Sequence, residues 1–152
     1  GNCRIVDEHD HEIRKWITAY KNRVSRKYSY KRLLIENFIS QPAVFMRRKA
    51  LEAAGLIDLQ LPTAMDYDLW LRLAKLGQPG YINDYLACFR VHKDSISSRS
   101  YKDQFEEQYR IHKKYDQNRC LLLKHRMIIR LIVFIYSYNE KIKYFGLKSR
   151  NS

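Results

Sequence analysis

The chain has 152 residues, enough for one domain with one hydrophobic core, and its 45% apolar and 30% charged residues make it a globular rather than a disordered sequence. Three widely spaced cysteines (Cys3, Cys88, Cys120) form no CxxC pair, which argues against a zinc ribbon or a disulfide framework and fits a reducing compartment. The formal charge of +13 favours an anionic partner, whether nucleic acid, an anionic membrane surface or a phosphorylated ligand, and no run reaches the roughly 18 apolar residues that would span a bilayer.

In chain order, CRIVDEHDHEIRKW (3–16) reads as strand, polar turn, strand. The dense run Asp7, Glu8, His9, Asp10, His11, Glu12 is a hairpin turn on this reading, because adjacent residues rarely converge on one metal ion. KNRVSRKYSYKR (21–32) carries six basic residues and no acid, and a second basic stretch runs from Lys113 to Arg150. A solvated basic face and a binding surface both account for these blocks. YKRLLIEN (30–37) predicts a short helix. FISQPAVFMR (38–47) predicts an extended strand entered near Pro42, and RRKALEAAG a helix closed by Gly55 in a left-handed C-cap.

TAMDYDLWLRLA (63–74) opens the clearest helix, Asp66 to Leu76, closed by Gly77. At about 100° per residue, Leu69, Trp70, Leu73 and Leu76 fall within about 80° of Asp66, and Asp68, Arg72 and Lys75 lie about 120 to 180° away. Asp68 and Arg72 then form a surface ion pair, and Asp68 is solvated. Asp66 shares the core-facing side at the helix mouth, where two readings stay open. It is a capping acid for its own helix, or it points into a pocket.

YINDYLACFRVH (81–92) predicts a strand with Ala87, Phe89 and Val91 on one side and Leu86, Cys88, Arg90 and His92 on the other. Arg90 and His92 thus project together at the strand's C-terminal end, where open α/β sheets gather ligands and where such a pair could hold a diphosphate or a metal. An exposed basic pair is the plainer account. KDSISSRS (93–100) is a loop, 101–115 a helix, and 120–138 a more apolar helix whose interspersed Lys124, Arg126 and Arg130 suit either core packing or an anionic membrane face. His112 and His125 are assigned no role. The tail KIKYFGLKSRNS is expected to fray. The fold class is α/β, or α+β as an isolated piece, with a partial mixed sheet, flanking helices and a C-terminal helical pair. The few strands, and an opening Gly-Asn in place of Met, fit part of something larger.

Three segments together, NFISQPAVFMRRKALEAAGLID, AMDYDLWLRLAKLG and YINDYLACFRVHKDSIS, resemble the C-terminal half of a family 2 glycosyltransferase, an inverting enzyme of the GT-A fold that uses nucleotide sugars. The likeness covers roughly residues 33 to 98, and more weakly the opening strand-turn-strand. It implies that residues 1–100 form the acceptor-side half of a GT-A-like domain and 101–152 a helical extension. It implies Asp66 as the general base, with Met65 where relatives often carry a first acid. It also implies Arg90 and His92 at the donor diphosphate, His92 at a divalent Mg or Mn, and Trp70 lining the acceptor side. The family's N-terminal donor half and its metal-binding D-x-D are not matched. Asp66-Tyr67-Asp68 opens a helix rather than ending an apolar strand, so it does not read as that motif. The implied partners are a nucleotide-sugar donor, a glycan or lipid-linked acceptor, the donor-binding half, and an anionic membrane surface through 120–138, in cell-surface polysaccharide synthesis at a cytoplasmic location on the inner membrane face. Alone, the chain is expected to be inactive. Two competing readings are a basic nucleic-acid-binding domain, which has the charge and twelve tyrosines but no groove-reading motif, and an inactive interaction module.

Overall fold

The computed structural model describes residues 1–92 and 100–148, with side chains described as far as Ile135. Strand β1 (Asn2–Val6) is followed by helices α1 (Lys15–Arg26) and α2 (Tyr30–Ile35), a 3-10 turn (Gln41–Ala43), and helices α3 (Arg48–Ala54) and α4 (Met65–Leu76). Strand β2 (Tyr85–Arg90) and helices α5 (Tyr101–Tyr115) and α6 (Arg119–Lys148) complete it. The strands pair in parallel, from Asn2 beside Tyr85 to Val6 beside Arg90. The chain is therefore mixed α/β, with six helices and a two-stranded parallel sheet among the described residues.

Two strand expectations give way. After β1 the chain makes a single antiparallel bridge, Val6 to Glu12, and then turns into α1 through Arg14, whose φ is 52°. The buried positions of α1 are Thr18 and Asn22, so its inward face shows almost no apolar period. Among the described residues the segment 38–47 pairs with no strand. Its backbone is extended at Ser40 and Val44, and Pro42 near the start of the 3-10 turn interrupts it. The helix closed by Gly55 is present, with φ of 83° at the glycine and an extended ψ of 159°. The 93–99 part of the expected loop lies outside the described residues. The last helix continues to Lys148, past the expected fraying point.

The core joins Leu33, Leu34 and Phe38 to Ala64, Tyr67, Leu69, Trp70 and Leu71, and α5 adds Ile111 to the same cluster. The C-terminal pair is thus packed into this core, with α5 against α4 and α6 and α6 against α2.

Two buried polar arrangements fix the helices. Asp68, expected on the solvent side, is 2% exposed. The helical wheel sees α4 alone, whereas α5 covers that flank. Asp68 accepts from Arg72 Nε at 2.8 Å and Tyr115 Oη at 2.7 Å. The same guanidinium donates to the carbonyls of Ala54, Gly55 and Leu56 at 2.6 to 2.9 Å, satisfying the open end of α3. The second arrangement joins α5 and α6. His112 and His125, both fully buried, stack with ring centroids 5.0 Å apart and Nδ1 atoms 2.8 Å apart. His125 also hydrogen-bonds the carbonyl of Leu34, which accepts from Tyr67 Oη at 2.8 Å. Two side chains thereby cap the C-terminus of α2. An imidazole that donates from Nε2 to a carbonyl accepts at Nδ1, so His112 supplies the proton between the rings.

Burial and the neighbouring His112 lower the His125 pKa to about 4, and burial lowers that of His112 against the pull of Asp116. The folded state therefore prefers the neutral ring. Its contribution is full above the ordinary value of 6.5 and is lost as pH falls from there towards about 4, amounting to roughly 3 kcal/mol. Denaturant melts across this window should show that loss, and His125→Leu should flatten it; an unchanged slope in the variant contradicts the assignment. Asp68→Ala should cost about 3 kcal/mol at neutral pH by stranding Arg72, lowering the melting temperature by roughly 10 °C, and a surface pair would show almost no change.

Candidate functional site

The first turn of α4 is capped from a distance. Glu107 on α5, 4% exposed, accepts from the backbone N–H of Thr63 and Ala64 at 2.9 and 2.8 Å and from the Thr63 hydroxyl at 2.7 Å. Glu107 thus satisfies the N–H groups at and just before the N-cap, Ala64, and leaves the Tyr67 N–H of the first turn to Asp66. Asp66, in the first turn of α4, is half-buried. Its Oδ1 accepts from the Tyr67 N–H at 2.7 Å and its Oδ2 from Asn37 Nδ2 at 3.4 Å. One oxygen thus serves its own helix, as the capping reading expects, and the other meets Asn37 just beyond the end of α2.

Burial raises the Asp66 pKa above the ordinary 3.8, and the bonds from Tyr67 and Asn37 and the ammonium of Lys21 oppose the shift without cancelling it. Lys21, on α1, is pushed down by burial, against the pull of Asp66, Glu36 and Cys3. Glu36 accepts from Tyr20 Oη at 2.7 Å and Arg32 at 3.0 Å, and Arg32 also reaches the Tyr20 hydroxyl. The Asn37 carbonyl oxygen is buried and meets no donor among the described residues. Lys21 and Asn37 thus adjoin Asp66, while Glu36 is held in its own ion pair with Arg32. Sequence reasoning missed Lys21, Glu36, Asn37 and Glu107. Lys21 is hidden in the basic block, whose sequence carries no clear helical signal.

The other expected site residues sit elsewhere. Arg90 donates to the carbonyls of Asp7 and Glu8 at 2.9 and 3.3 Å and pairs with Asp10 at 2.6 Å. It clasps the loop after β1, and no hydrogen bond or ion pair among the described residues joins it to Asp66. That loop is the turn expected from its composition: Asp7 Oδ1 accepts from the N–H groups of His9 and His11, each at 2.9 Å. His92 is exposed beyond the end of β2. Trp70, expected to line the acceptor side, is instead 4% exposed in the core, and its indole N–H meets no acceptor among the described residues. The two aspartates of Asp66-Tyr67-Asp68 diverge, one to Asn37 and one to Arg72.

Among the described residues no three His, Cys, Asp or Glu side chains are grouped to hold a metal ion. His92 offers a single imidazole, so this chain's own described residues do not fit a divalent ion, and no step is drawn through one. At the opposite, N-terminal end of the sheet lies an open cleft of about 580 Å³. Arg23 and Arg26 of α1 line it with the amides of Asn2, Asn22 and Asn83, and no carboxylate does, a lining suited to an anionic or hydroxyl-rich ligand.

No family model, no curated protein and no solved structure matches the chain.

Because burial favours protonated Asp66, its ionised form opposes folding at neutral pH, increasingly as pH rises through the raised pKa. Asp66→Asn keeps the acceptor for Tyr67 N–H and should leave the protein as stable as the parent at pH 7, or more so. A clear destabilisation in thermal melts would make Asp66 a structural acid.

Proposed function

We propose that this chain is the acceptor-side half of an inverting, family 2-like glycosyltransferase with a GT-A-like fold, and that Asp66 is its general base. The observation that carries the reading is a half-buried carboxylate at a helix mouth whose pKa is raised by burial even though it accepts from the Tyr67 N–H and from Asn37. The motif likeness across residues 33 to 98 supports it independently. A parallel pair of strands is normally part of a larger covered sheet, and here Tyr85 on β2 is half exposed. Strands from a donor-binding half would extend that sheet.

In the proposed reaction the acceptor hydroxyl oxygen attacks the anomeric carbon of a nucleotide-sugar donor. The new C–O bond forms as the bond to the nucleotide diphosphate breaks, and the hydroxyl proton passes to Asp66. A carboxylate of raised pKa is a better base than a solvated one, and positioned base assistance contributes about 10²–10⁴-fold. The leaving diphosphate needs positive charge. His92 and Arg90 are assigned that role in the complete enzyme, which for Arg90 requires release from the Asp7–Asp10 loop. The acceptor is a glycan or lipid-linked saccharide, and a divalent ion would be held chiefly by the donor half.

With the donor half present, Asp66→Asn should lower turnover at least about 100-fold while nucleotide-sugar binding survives. The acid limb of the wild-type pH–rate profile should lie above the ordinary carboxyl value of 3.8, since the base must be ionised. Turnover of the variant at the parental rate removes Asp66 as the base.

A further inference from the structure

Helix α6 is fixed by its inner face. His125 is buried against α5 and the end of α2, and Leu121 packs on the core. About 160° around the helix from His125, Leu123, Met127, Leu131 and Phe134 recur at one- and two-turn spacing, a stripe about 80° wide. These four side chains are 59 to 68% exposed. Such a row of large apolar groups costs solubility and marks a contact surface.

The charges beside the stripe select the partner. Lys124 runs along one edge and Arg119, Arg126 and Arg130 along the other, all exposed. No acid occurs from Gln117 through Ile135. A second copy of the chain would bring these cations against their own kind, whereas an anionic lipid surface takes the stripe into its acyl boundary and pairs the flanking cations with headgroups. No helix among the described residues is long and apolar enough to cross a membrane, so the contact is one of lying in the interface.

We propose that the outward face of α6, centred on Leu123, Met127 and Leu131 and flanked by Lys124, Arg126 and Arg130, docks this protein onto an anionic lipid bilayer. The docking is independent of the glycosyl-transfer reading, because it requires no donor, acceptor or turnover.

Flotation of the full chain with vesicles tests it. Phosphatidylcholine vesicles containing about one third phosphatidylglycerol should carry the protein at least ten-fold better than phosphatidylcholine alone, with the advantage shrinking in high salt. The double variant Met127→Glu/Leu131→Glu should lose at least about ten-fold of this binding. Lys124→Glu/Arg130→Glu, which alters exposed charges alone, should weaken it comparably and keeps the test valid if the first variant misfolds. Parental binding in either folded variant, equal binding to neutral vesicles, or no vesicle binding overturns the proposal. So does a concentration-dependent dimer, in the absence of lipid, that the stripe variant dissolves, which would assign the face to self-association.

Discussion

The position of α4 governs the rest of the structure, and carboxylates and arginine supplied across the fold hold it. Glu107 reaches from α5 to close its N-terminus, and Asp68 and Arg72 tie its flank to α5 and to the end of α3. Glu107 satisfies the N–H groups of Thr63 and Ala64, and Asp66 that of Tyr67 within the first turn. Asp66 is half-buried and bonded to Tyr67 and Asn37, near an ammonium whose own charge is also disfavoured by burial. Mutually dependent groups of this kind are costly to a fold, and they are commonly kept where a proton must move.

The two histidines play a parallel structural part. Their stack ties the C-terminal helices to each other, and through the Leu34 carbonyl to α2 and Tyr67. This anchor sets which face of α6 is turned outward. The apolar stripe and its flanking cations thus follow from a buried neutral imidazole pair on the far side of the same helix, so that core packing and surface character share one cause.

Much of this was legible in the sequence. The α4 and α5 helices, the short α2 helix, the glycine stop at Gly55 and the alternation of β2 follow from periodicity and turn chemistry. Asp66 was legible as a carboxylate at a helix mouth. What escaped has a common physical origin in long-range contact. Asp68 looks solvated on a wheel of α4 because the wheel does not contain α5. The inward side of α1 mixes Ile17 and Val24 with Thr18, Lys21 and Asn22, so its apolar stripe is thin and Lys21 reads as part of a charge run. His112 and His125 have no partners within their own helices and acquire them only when α5 meets α6. Trp70 was placed on the right face of α4, but that face is filled by the core.

The fold, and not the residue type, makes the Asp66 carboxyl reluctant to ionise. A carbon-detected magnetic resonance titration of that carboxyl in the folded chain tests it directly. The midpoint should lie above 3.8 and rise further when Lys21 is replaced by methionine. A midpoint at or below 3.8, indifferent to Lys21, would contradict it.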